Sequence, residues 1–149
     1  MSRGLPSTSR SLPIALLRAR EQVMGPIRAM LADVGITEQQ WRVLRVLDEG
    51  GAMEPTRIAD MACLLLPSLT RILQKLEEKG LILRRRDEDD RRKQVVQISA
   101  EGQKVIAANL DASVVLMDSL RARLGEARYE LLLDLLNEVH ETGAAPSRD

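Results

Sequence analysis

The chain has 149 residues, 22 basic against 22 acidic side chains and a formal net charge of zero, with 44% hydrophobic and 30% charged residues. That mixture excludes wholesale disorder, and the neutral balance excludes a polybasic chain that coats nucleic acid by charge alone. Trp41 and Tyr129 are the only aromatic residues, so Leu, Ile, Val, Met and Ala must fill the core, which favours packed helices over a β-sandwich.

Residues 1–10 are polar, with Pro6 and several serines, and read as a flexible tail. Ser11 is placed to cap a helix over 11–35, with Pro13 in its first turn. Ile14, Leu17, Met24, Ile27, Leu31 and Val34 keep near-helical spacing along it; Gly25-Pro26 should kink it and Gly35 end it. Thr37-Glu38-Gln39-Gln40 is a capping box that opens a second helix to about Glu49, with Trp41, Leu44 and Leu47 inward and Gly50-Gly51 as its stop. A short extended piece, 52–54, precedes a third helix that starts at Pro55-Thr56 and carries Ile58, Ala59 and Ala62. The fourth helix begins at Pro67, turns Leu69, Ile72, Leu73 and Leu76 inward, and ends at Lys79-Gly80.

The period then changes. Leu81–Leu83 and Val95–Ile98 are short β-prone runs flanking Arg84–Lys93, which holds six cations and four anions. The spacing predicts a β-ribbon with a flexible polar tip. A long helix from Ser99 to Leu124 follows, its stripe formed by Ile106, Leu110, Val114, Met117, Leu120 and Leu124. At about 39 Å it is longer than one small domain can cover. After Gly125 a last amphipathic helix, 126–142, carries Tyr129, Leu132, Leu135, Leu136 and Val139, and 143–149 is a second flexible tail. The first helix and the last two therefore predict an intertwined homodimer, with 11–35 and 99–142 as dimerisation regions.

Function is narrowed first by exclusion. His140 is the only histidine and Gly50-Gly51 lacks the rest of a phosphate loop, so zinc sites, His-bearing triads and nucleotide cradles cannot be assembled. The expectation is a protein that is not an enzyme and needs no metal or cofactor. One cysteine, Cys63, permits no internal disulfide, and no apolar run is long enough for a signal or a membrane span. A cytoplasmic protein without membrane contact is expected.

Helix, strand, helix, turn, helix and β-ribbon over 36–98 is the order of a winged helix-turn-helix, giving a mainly α fold with a small β-wing. Pro67, Ser68, Thr70, Arg71, Gln74 and Lys75 face outward from the fourth helix, where hydroxyls bond phosphates and Arg or Gln reach base edges. Arginines on the wing tip, Arg91 and Arg92, suit a minor groove, and Asp90 is placed to brace one of them.

The stretch LLLPSLTRILQKLEEKGLILRRRDEDDRRKQVVQISAEGQ resembles the MarR family of dimeric winged-helix transcription regulators. ALLRAREQVM and ITEQQWRVLRVL are similar, more narrowly, to its HpaR/HpcR branch, which regulates homoprotocatechuate degradation operons. The resemblance implies that Ser68, Thr70 and Arg71 contact a pseudo-palindromic duplex DNA operator, with Asp90 bracing and Arg92 entering the minor groove. It also implies repression relieved by a small phenolic or aromatic carboxylate. Arg18, Arg20 and Arg42 are the candidate cations for such an effector, with Met24, Trp41 and Ile14 as walls. Two alternatives stand beside this reading: a winged-helix module that binds protein, and a redox-responsive regulator acting through Cys63. Within the apolar run 61–66, Cys63 is expected to be a buried, inert thiol.

Overall fold

A computed structural model describes residues 4–142, so the last-tail expectation for 143–149 lies outside the described residues. The described elements are α1 (Leu12–Ala32), α2 (Glu38–Gly50), α3 (Pro55–Met61), α4 (Leu66–Glu78), β1 (Ile82–Arg86), β2 (Gln94–Ile98), α5 (Ala100–Leu124) and α6 (Glu126–Thr142). The chain divides into two compact units, 1–111 and 112–149.

In the first unit, Leu31, Val43, Leu44, Leu47, Ile58, Leu69, Leu73, Leu76, Ile82 and Val96 form a fully buried aliphatic core. Each helix delivers its residues at three- and four-residue spacing, which puts them on one face. Ile106 of α5 joins the same core, so the unit reaches beyond the wing. Residues 8–10 of the expected tail form a single 3-10 turn. Ser11 stands at the N-cap of α1, but its side chain makes no capping bond. The α1 helix runs through Pro26 and ends at Ala32, three residues before Gly35. The turn that follows is closed by Ile36 N donating to Leu31 O, with Gly35 at φ 68°. In α2 the capping box forms as expected: Gln40 N donates to Thr37 Oγ1 at 3.1 Å, and Thr37 N to Gln40 Oε1 at 3.1 Å.

The sheet has two antiparallel strands, with Ile82 opposite Ile98 and Arg86 opposite Gln94. Met53 pairs with Val96 through reciprocal backbone bonds of 3.0 and 2.9 Å, docking the 52–54 segment on the wing base. The strand β1 continues through Arg86, so Arg84–Arg86 belong to the ladder and not to the tip. Alternating side chains on the paired strands explain this: Ile82 and Val96 are buried and carry the register outward. The remaining loop, 87–93, is closed by Asp87 N to Lys93 O at 3.0 Å and Lys93 N to Asp90 O at 2.9 Å. The tip is thus a turn closed by its own backbone hydrogen bonds.

The junction into α5 accounts for the run Ile98-Ser99-Ala100-Glu101-Gly102. Ser99 Oγ donates to Gly80 O at 2.6 Å and accepts from Gly102 N at 3.0 Å, capping α5 and fastening it to the end of α4. A Cβ on Gly102 would collide with the Leu81 carbonyl and the Ile98 side chain. Only glycine permits that approach.

In the second unit, the end of α5 turns into α6 at Gly125, φ 86°. Arg121 lies over the Tyr129 ring, 4.7 Å from its centroid, and pairs with Glu126 at 3.2 Å and Glu130 at 3.6 Å. Tyr129 is buried, whereas Leu131, Leu132, Leu133, Leu135, Leu136 and Val139 are exposed in the single chain.

Candidate nucleic-acid interface

The outward face of α4 exists because its inward face is so well anchored. Leu69, Leu73 and Leu76 are buried, which turns Thr70, Arg71, Gln74 and Lys75 to the surface, with Ser68 half-buried at the edge. Pro67 falls in the first turn, where its missing donor costs nothing. Thr70 Oγ1 donates back to Leu66 O at 3.1 Å, leaving its lone pairs outward. Gln74 Nε2 reaches Glu78 Oε1 at 3.5 Å, and Lys75 Nζ lies 4.0 Å from Glu78. Arg71, Ser68, Ile72 and Lys75 share a shallow groove with Thr37 and Gln39 at the start of α2. Lys79, just past α4, donates to Gly35 O at 2.6 Å and thereby ties the end of α4 to the α1–α2 turn.

At the wing tip, Asp90 grips Arg92 by three bonds: Arg92 N and Nε to Oδ1, each 3.1 Å, and Nη2 to Oδ2 at 3.4 Å. The Arg92 side-chain hydrogen bond, and then its backbone N–H, hold the Asp90 carboxyl below its ordinary range. Arg92 stays 92% exposed, so it is braced without being hidden. Arg86 Nη1 donates to Arg91 O at 3.2 Å and stiffens the same turn. The bracing by Asp90 was expected from sequence. The pairing of Arg84 Nη2 with Glu77 Oε1 at 2.9 Å, which links the wing to α4, was not. Its sequence signal is an acid and a base seven residues apart across the Gly80 turn.

The residues singled out for an effector lie on α1 and α2. Arg20 is engaged by Glu38 at 2.9 Å, an interaction whose hydrogen bond and charge raise its already high pKa. Arg28 adds to this cluster, pairing with Glu21 and lying 3.6 Å from Glu38. Trp41 is buried, Met24, Ile14 and Arg42 are half-buried, and Arg18 is exposed. The Arg42 Nε atom is buried without a hydrogen-bond partner. Glu38, which sequence reading passed over, is the centre of the charge cluster.

Cys63 departs from expectation. It is exposed, with φ 56°, because α3 ends in a left-handed residue: Leu64 N bonds back to Ala59 O at 2.9 Å, and Cys63 takes the outward position. His140 is exposed on α6. Among the described residues no group of acids, histidines and cysteines is arranged to hold a metal.

Comparison with known proteins matches residues 36–94 to the MarR family model. The chain is 36% identical over 137 residues to the HTH-type transcriptional regulator FarR of Neisseria gonorrhoeae, covering 91% of this chain and 94% of that one. It is 35% identical to the homoprotocatechuate degradative operon repressor of Escherichia coli, covering 93% and 94%. Among solved structures, NadR in complex with 4-hydroxyphenylacetate is 36% identical, with a TM-score of 0.79 and coverage of 93% and 95%. The transcriptional repressor CouR bound to a 23-mer DNA duplex is 28% identical, with a TM-score of 0.77 and coverage of 94% and 99%. Each of these four relatives is matched over more than nine-tenths of this chain.

Proposed function

We propose that this chain, which belongs to the MarR family of transcriptional regulators, is a homodimeric repressor of an aromatic-acid catabolic operon. The observation that carries the DNA-binding part is Arg92, held by Asp90 on the wing tip and still exposed, together with the polar outward face of α4. A cation oriented by such a brace has less conformational freedom to lose on entering a minor groove, and two such elements can read one duplex together. Pro67, Ser68, Thr70, Arg71, Gln74 and Lys75 contact the major groove, and Asp90, Arg91 and Arg92 form the minor-groove element. The likeness to CouR, whose structure holds duplex DNA, supports the DNA-binding reading as a whole.

The exposed stripe of α6, with Leu12, Leu16 and Leu17 of α1 and Val114 of α5, supports a dimer over 11–35 and 99–142. A dimer presents two recognition helices to successive grooves about 34–36 Å apart, which calls for a pseudo-palindromic operator. The effector is a phenolic or aromatic carboxylate, on the strength of the 4-hydroxyphenylacetate bound by NadR and the operon named for the Escherichia coli relative. Arg18, Arg20, Met24, Trp41 and Arg42 are its candidate contacts. It acts by population shift, favouring a spacing of the two wing units that no longer fits the operator. A repressor must reach its operator, which places the protein in the cytoplasm with the DNA; among the described residues no helix is long and apolar enough to cross a membrane.

A gel shift of the full-length protein on the region upstream of its own gene tests this. Binding that weakens with salt, falls on Arg92→Ala and is released by hydroxyphenylacetate supports it. No shift at low salt overturns the DNA-binding reading. Release by oxidant alone, abolished by Cys63→Ser, makes the exposed thiol the trigger instead.

A further inference from the structure

The start of α4 holds two leucines in solvent. Leu65, the N-cap residue, is 77% exposed, and Leu66, the first helical residue, is 43% exposed. Neither is exposed through looseness. Leu64 before them packs against the core, Leu69 after them is fully buried, and Leu69 N donates to Leu65 O at 3.0 Å. The pair is thus held outward between two anchors. An N-cap position favours Ser, Thr, Asp or Asn, whose side chain accepts a bond from the first turn. Leu65 makes no such bond. The position forgoes local helix stability to keep an apolar side chain in water, the pattern of a residue kept for binding.

Its place on α4 says what the pair binds. Leu66, Thr70 and Gln74 follow one another at four-residue spacing, so Leu66 continues the outward face that bears Arg71 and Lys75. Thr70 Oγ1, donating to Leu66 O at 3.1 Å, joins the two turns. Helical side chains lean toward the N-terminus, which aims Leu66 at the same end as Leu65. A second copy of the chain seated here would cover Arg71, and the exposed leucines of α1 and α6 already offer it a different surface. On the base edges of a major groove, the apolar group is the thymine C5-methyl. That methyl is the partner for an apolar start to an otherwise polar recognition face.

We propose that Leu65 and Leu66 form an apolar reader at the tip of α4 that takes the C5-methyl of one thymine in each half-site. This inference rests on the DNA-binding reading of α4 above and adds a specificity determinant to it. Arg71 and Gln74 sort bases by donors and acceptors. The leucine pair separates thymine from cytosine, whose C5 carries only hydrogen. It makes no phosphate contact, so its share of the affinity is independent of salt.

The test is fluorescence anisotropy of the full-length protein on its upstream duplex, with each thymine in turn replaced by deoxyuridine, which pairs alike but lacks the methyl. One symmetry-related pair of thymines is expected to respond in the wild type, by about fourfold for one half-site and about fifteenfold for both. Alanine caps a helix no better than leucine, so Leu65→Ala should melt like the wild type. It should bind the unmodified duplex several-fold more weakly, keep the salt slope and lose most of the uridine response. Leu65→Ser supplies the missing cap, so it should melt higher and still lose the response. Arg71→Ala should keep it. A wild type indifferent to every uridine overturns the proposal, as does a full-size response in Leu65→Ala and Leu66→Ala alike. Leu65→Ser that melts lower makes the leucine structural and overturns it too. A uridine response left intact in Leu65→Ala while its unfolding becomes more concentration-dependent assigns the pair to self-association. Wild-type protein that binds no duplex at any salt overturns the DNA-binding reading itself.

Discussion

Helices α4 and α6 are built on the same grammar and end in opposite situations. Both are amphipathic, and both carry leucines at three- and four-residue spacing. In α4, Leu69, Leu73 and Leu76 are buried by the chain's own core, so what the helix offers outward is its polar face. In α6, Leu132, Leu135, Leu136 and Val139 remain exposed in the single chain, so what it offers outward is apolar. A helix whose apolar face is satisfied internally is free to present chemistry. One whose apolar face is open presents an interface.

The contrast can be broken most directly by truncating one leucine from each helix. Leu73→Ala, at a residue 1% exposed, is expected to cost about 2–5 kcal/mol in urea unfolding whatever the protein concentration. Leu135→Ala, at a residue 49% exposed in the single chain, should instead weaken self-association, read as an unfolding midpoint that shifts with concentration. Equal, concentration-independent losses at the two positions would erase the distinction. A step down in size, Gly102→Ala tests whether the α4 end and α5 are as tightly joined as the Ser99 bonds indicate; overpacking there should cost about 1–3 kcal/mol of stability by the same denaturation.

On the polar face of α4, Arg71→Ala should leave stability unchanged while losing about 1–3 kcal/mol of operator preference, measured as the ratio of affinities for upstream and scrambled duplexes. An equal loss on both would reassign Arg71 to phosphate contact. The smallest effect concerns pH. Asp90 is held below the ordinary carboxylate range by Arg92, so its ionised, bracing form is favoured in the folded wing. The brace is therefore present throughout neutral pH and lost only as pH falls through the lowered value. DNA affinity should be insensitive to Asp90 titration from about pH 5 to 8 and show an acid limb below it that Asp90→Asn lacks. A limb unchanged in that variant would place the titration elsewhere.

Much of this was legible in the residues. The capping box at Thr37, the Gly80 stop, the Pro67 start and the leucine spacing of α4 are local signals, and each element appears where they point. The Asp90–Arg92 brace was legible for the same reason, since its partners are two residues apart. Cys63 was misjudged because an apolar neighbourhood in sequence says nothing of a left-handed helix end, which turned the thiol outward. The run Arg84–Arg86 reads from its charges as part of the tip, while the ladder that carries it depends on pairing with β2.

From the sequence alone came the element order, the core faces of α2, α3 and α4, the family resemblance and the polar side chains offered for DNA, because periodicity, caps and turn residues act within a few positions. Only the tertiary structure joined Glu77 to Arg84, Ser99 to Gly80 and Lys79 to Gly35. Those pairings cross turns and connect different elements, and no local spacing distinguishes them from the many other acid–base and donor–acceptor pairs in the chain. Charge neutrality and DNA binding are thereby compatible: what could serve DNA here is not an excess of charge but a few placed cations, Arg71 and Lys75 on the outward face of α4 and Arg92 held by Asp90 on the wing.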